Sequence, residues 1–156
     1  MPHIPDSTDP KDWHRYFAIE NNNRAWELAT GSRTEKENQE MLNSAHASAL
    51  HWDLAGNELN HIRAKTLLAE VHALLGYGSS ALAYIEEVRE FLLKQDSADW
   101  EIALLHTIHA HAACVAGQID LHRSLYTEAT RAIEAIADDE DRKIVLSTFN
   151  QVEKPR

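Results

Sequence analysis

The sequence predicts an all-α fold of antiparallel helix hairpins, and three observations carry that reading. Apolar residues recur three and four apart along most of the 156-residue chain. Glycines at 31, 56, 76, 78 and 117 interrupt the pattern at intervals that suit single helices. No stretch alternates apolar and polar residues with the period of two that a half-buried strand requires. Residues 61–94, HIRAKTLLAEVHALLGYGSSALAYIEEVREFLLK, show the arrangement most plainly, as two helices folded back on each other at residues 76–79. There Gly76 and Gly78 permit the positive backbone angles that end a helix, and Ser79 or Ser80 is placed to cap the next.

In chain order, residues 1–8 are expected to be disordered, 9–152 to form one helical domain and 153–156 a tail. Asp9 is the N-cap of the first helix, with Pro10 in its first position and Asp12 in its first turn. That helix runs to Thr30 past Trp13, Phe17 and Trp26, and its weakest point is the run Asn21, Asn22, Asn23. After Gly31, Thr34 and Glu37 form a capping box for a helix with Met41, Ala45, Ala49 and Trp52 on one side, closed by Gly56.

The next helix, up to Leu75, has its apolar residues on two arcs, which predicts packing on both sides. Its partner has one apolar stripe, Leu82, Ile85, Val88 and Leu92, opposite Glu86, Glu87, Arg89, Glu90 and Lys94. A helix over 97–116 carries Trp100, Leu104, Leu105 and Ile108 and stops at Gly117. Asp120 is expected to cap the following one, with Leu121, Leu125, Ala129, Ala132 and Ile136 as its stripe. The acidic run 138–141 suits the N-terminus of a last helix, where Val145, Phe149 and Val152 share a side before Pro155.

Superposing Gly76 on Gly117 places Ala69 on Ala110, Leu67 on Ile108, Leu74 on Val115 and Val88 on Ala129. Leu68, Ala69, Gly76, Ala81, Tyr84 and Ile85 keep the spacing of small and large residues of the tetratricopeptide repeat, and the chain resembles that family. The next copy keeps Ala110, Gly117, Tyr126 and Ala129 but has His122 in place of the small alanine. The resemblance implies about three repeats, over 10–55, 58–95 and 98–136, with a capping helix over 139–152 covering the open end. AHASALHW at 45–52 and ADDEDRKIVL at 137–146 are similar to stretches in a group of small bacterial proteins of this helical organisation.

Composition excludes several activities. Lys and Arg total 15 against 25 Asp and Glu, a formal charge of −10, so nucleic acid is not expected as a partner. The N-terminus lacks the features of a signal peptide and no apolar run approaches the ~20 residues that span a membrane, which predicts a cytoplasmic protein. Cys114 is the only cysteine, has no cationic neighbour and is expected to be a buried thiol. No phosphate-binding glycine loop or nucleophile elbow occurs, and no cofactor is called for.

Ten histidines are the chain's oddity. His106 and His109 share a helix face and, with His72 from the preceding hairpin, make a candidate metal site, whereas His111 points about 200° away from His109. The plainer expectation is that these imidazoles are hydrogen-bonded at helix contacts. The family's ligand groove lies on the first helix of each pair. By that resemblance Arg63, Thr66 and Glu70, with Thr107 and His111 in the next repeat, are the candidate ligand-binding residues. His61, Lys65 and His72 form a second polar stripe on the same helix. Trp13, near one end, is a candidate contact in a homodimer. Together these observations point to a non-catalytic module for a protein or peptide partner. The alternative is a small-ligand or metal binder built on His72, His106 and His109.

Overall fold

The computed structural model describes residues 1–156. It contains seven helices and no strand: α1 (Pro10–Ala29), α2 (Glu35–Ala55), α3 (Glu58–Leu74), α4 (Gly78–Leu92), α5 (Asp99–Val115), α6 (Ile119–Glu134) and α7 (Asp139–Phe149). They pair as hairpins α1/α2, α3/α4 and α5/α6. Each odd-numbered helix also packs against the next odd-numbered one, and each even-numbered helix against the odd helix that follows it. The helix α7 thus stands where a fourth hairpin would begin. No helix is long and apolar enough to cross a membrane.

The first two helices start as their sequences dictate. Asp9 caps α1 by accepting from Lys11 N, and Thr34 and Glu37 form the reciprocal capping box of α2. The three asparagines do not break α1, and Asn21 donates its amide to the Phe17 carbonyl at 2.8 Å. Ahead of Pro10 there is no regular secondary structure, yet Trp13 Nε1 donates to the Ser7 carbonyl at 2.9 Å and holds that segment against α1.

The helix α3 is packed on two sides. Leu67, Leu68 and Val71 join Met41 and Ala45 of α2 and Leu28 of α1 in one cluster. Ile62, Ala69 and Ala73 join Ile85, Val88, Leu105 and Ile108 in the largest one. That is the geometry its two apolar arcs require.

The second and third hairpins repeat each other closely. Both α3 and α5 have 17 residues, and equivalent positions such as Glu70 and His111 lie 41 apart. Their closing turns match bond for bond. Gly76 has φ +85° and Gly117 φ +74°. Tyr77 N donates to the His72 carbonyl at 2.8 Å, as Gln118 N does to that of Ala113 at 2.9 Å. These are Schellman turns, which need a left-handed residue. Neither glycine has an atom within 4 Å of where a Cβ would stand, so the demand is purely conformational. Gly76→Ala is expected to lose about 1–2 kcal/mol in urea unfolding, the cost of a left-handed L-residue.

Two expected caps are absent. Ser79 and Ser80 lie inside α4, whose N-cap is Tyr77, and Asp120 lies inside α6 behind Gln118; neither start has a side-chain cap. The Schellman turn itself delivers the chain into the next helix, and the Tyr77 and Gln118 carbonyls accept from Ala81 N and His122 N at once.

Gly78 differs from expectation too, since its backbone angle is not positive. Its role is close approach: a Cβ there would stand 2.6 Å from Cα and N of Ala116 at the end of α5. Gly78→Ala is expected to force the α3–α4 turn off α5 and to destabilise by about 1–3 kcal/mol, the range for overpacking, read by thermal unfolding. In the third hairpin the same position is Ile119, 68% exposed. There α7 ends at Phe149 and leaves the turn uncovered. Past α7 the chain still contributes: Val152 is buried in the main core, and the Glu153 carbonyl lies 2.8 Å from His122 Nε2.

Candidate functional site

Because the four odd-numbered helices stack in a row, one side of the molecule is built from α1, α3, α5 and α7 together. A cleft of about 460 Å³ runs across it. The first helix and its end supply Asn22, Trp26, Glu27 and Thr30; α3 supplies Arg63 and Thr66; α5 supplies Trp100, Glu101 and Leu104; α7 supplies Ile144, Ser147 and Thr148.

At its centre Arg63 spans from α3 to α5. Nε lies 2.8 Å from Glu101 Oε1 and Nη2 3.3 Å from Oε2, and the guanidinium sits 5.6 Å from the Trp100 ring centroid. The hydrogen bond to Glu101 raises the Arg63 pKa further and keeps it charged. Glu101 is almost fully buried while Arg63 is about half exposed, so the pair offers the cleft its cationic side. Thr30, Thr66 and Ser147 each donate their hydroxyl proton to a carbonyl of their own helix. What these hydroxyls offer a ligand is therefore oxygen lone pairs. The cleft combines aromatic walls, the exposed side chain of Ile144, one cation and hydroxyl acceptors.

The expected stripe of ligand-binding residues divides here. Arg63 and Thr66 line the cleft. Glu70, Thr107 and His111 do not: Glu70 and Thr107 are wholly buried and His111 nearly so. Beyond Thr66 the stripe runs into the contact between α3 and α5, where His111 Nδ1 lies 3.2 Å from both Glu70 carboxylate oxygens and Thr107 Oγ1 donates to the Ala103 carbonyl. An exposed polar line was expected; the packing turns its second half into an interior one.

The other polar stripe is engaged in structure. His61 Nε2 lies 3.0 Å from the Trp52 carbonyl, and Lys65 pairs with Glu87. His72 bonds the Leu68 carbonyl through Nδ1 and is ringed by His46, Tyr77 and Tyr84. Of the cleft residues only Arg63 and Thr66 were expected; Trp26, Trp100, Glu101 and Ile144 are among those the sequence reading missed. Their signal was the place of the last helix, which reads as a cap and in fact extends the row of odd helices.

The histidine trio does not assemble. His106 and His109 share a face of α5 as expected, but His72 stands in its own aromatic surround, and no three metal-ligating side chains converge anywhere. His106 occupies in the third hairpin the place of Lys65 in the second, and its Nδ1 lies 3.4 Å from Glu128 Oε2 just as Lys65 meets Glu87. Burial lowers its pKa, against the pull of Glu128. His109 takes the place of the core residue Leu68. It is buried with neither ring nitrogen hydrogen-bonded, and its pKa is pushed down to about 4 by burial first, then by Arg89 and His106. Cys114 is half-buried rather than buried, and burial followed by Glu153 raises its pKa, which disfavours the reactive thiolate.

Comparison with protein-family models, with curated proteins and with solved structures gives no match.

Proposed function

We propose that this chain is a non-catalytic binding module that takes a peptide segment of a partner protein into the cleft across α1, α3, α5 and α7. The cleft carries the reading: a continuous surface assembled from all three hairpins and α7, with two tryptophans and an exposed isoleucine as apolar anchoring points. The stacked hairpins, repeating at 41 residues, are the arrangement that the resemblance to tetratricopeptide proteins implies.

The chemistry selects the peptide. Two tryptophans and Ile144 offer apolar contact, and the chain carries −10 overall, so a segment with an apolar anchor and basic neighbours fits best. Selecting a displayed peptide library on the full chain tests this. Basic, apolar-anchored peptides are expected, and Trp100→Ala and Ile144→Asn are each expected to weaken them by about tenfold, as a central anchor does. Selected peptides that bind wild type and both variants alike would place recognition elsewhere.

A further inference from the structure

A threonine in a helix has a ready use for its hydroxyl proton, the carbonyl one turn back. Thr66, Thr107, Thr127 and Thr130 all take it, each Oγ1 donating to the carbonyl four residues earlier at 2.8–3.1 Å. Thr30, at the end of α1, does the same. Thr148 of α7 does not. Its hydroxyl has no hydrogen-bond partner in the structure, although the residue is only 3% exposed. Nor is the oxygen sealed off: Thr148 lines the cleft, and the cleft is the way to it. A ligand that fills the cleft therefore either bonds this hydroxyl or strands it, and a stranded buried hydroxyl weakens binding.

Charge decides what kind of group suits it. The ionised side chains of the cleft are already paired within the protein, Glu101 with Arg63 and Glu27 with Arg24. A carboxylate brought here has to compete with Glu101 for Arg63, and an ammonium with Arg63 for Glu101. A neutral polar group meets no such contest. Arg63 uses Nε and Nη2 on Glu101, which leaves the Nη1 protons as donors, while Thr66 offers lone pairs. A carboxamide matches both kinds of group, since its oxygen accepts and its NH2 donates.

We infer that the segment taken into the cleft presents an Asn or Gln side chain to its floor, and that Thr148 is the residue that reads it. This rests on the peptide-binding reading of the cleft. The apolar anchor supplies contact area, the carboxamide fixes the register, and basic neighbours stay at the rim, where the overall charge of the chain acts.

The peptide selection on the full chain supplies the probes. Asn or Gln is expected at a fixed spacing from the apolar anchor. One such peptide and its counterpart with Leu at that position, each titrated against wild type by tryptophan fluorescence, are expected to differ in Kd by at least about tenfold. Thr148→Val keeps the branched shape without the hydroxyl. It is expected to weaken the Asn or Gln peptide about tenfold and to leave the Leu counterpart as it was, whereas Thr148→Ser preserves the preference. Should Thr148→Val lose its fold, Thr148→Ala makes the same comparison. Two peptides that wild type binds alike, or a hydroxyl-free variant that keeps the full preference, overturn this assignment while leaving the cleft a peptide site. A library that yields no binder overturns the peptide reading itself, and the carboxamide subsite with it.

Discussion

Lowering the pH from 7 to 4 is expected to remove about 3 kcal/mol of folding stability through His109 alone, since its pKa falls from 6.5 to about 4 on folding and each unit is worth about 1.4 kcal/mol. The side chain is 5% exposed and neither ring nitrogen has a partner, so only the neutral imidazole fits, beside Arg89 of α4 and His106. The unfolded chain takes up a proton as the pH drops through about 6.5, and the folded one resists until about 4. Stability is therefore whole above that window, declines through it and levels off below. His46, His51 and His106 are also depressed, each mainly by burial, and contribute with the same sign. The equivalent position in the preceding hairpin holds Leu68, so His109→Leu is the matched replacement. It is expected to flatten the pH profile by about 3 kcal/mol and to add about 1–2 kcal/mol at neutral pH by removing an unsatisfied buried ring. Urea unfolding of both proteins across the window checks it. Equal pH slopes in the two would show that His109 is not the group responsible.

The fold was readable in the sequence wherever local chemistry decides it. Gly76 and Gly117 mark turns that only a left-handed residue closes, and their separation yields the 41-residue repeat. The two apolar arcs of α3 follow from its own side chains. What sequence could not supply depends on residues brought together from a distance. Gly78 is needed because of Ala116, and nothing within its own turn reveals that approach. His122 stands where the preceding hairpin buries Ala81, and it is accommodated because the tail offers the Glu153 carbonyl. Little of the cleft was legible: Arg63 and Thr66 follow from the helix register, while Trp100, Glu101 and Ile144 enter it only because α5 and α7 continue the row begun by α1 and α3. Glu70 and His111 misled for the same reason. As single residues they read as solvated, and each becomes interior only because the other lies opposite it on the neighbouring helix.

That pairing makes His111 the position at which a single substitution is expected to be most damaging at neutral pH. His111→Leu leaves the Glu70 carboxyl, which has no exposed surface, without the one side chain that hydrogen-bonds it between α3 and α5. An unmet buried acceptor of this kind costs about 3 kcal/mol, where the ranges for lost hydrogen bonds and for broken buried pairs overlap. The loss should fall on the contact between the second and third hairpins, because Glu70 belongs to one and His111 to the other. Glu70→Leu/His111→Leu is expected to recover most of it, since two apolar side chains of similar volume need no partner and α3 and α5 already meet through apolar neighbours there. The four proteins of this cycle, unfolded in urea at neutral pH, give the coupling directly. A double variant as unstable as His111→Leu would mean that the imidazole contributes by shape rather than by satisfying Glu70.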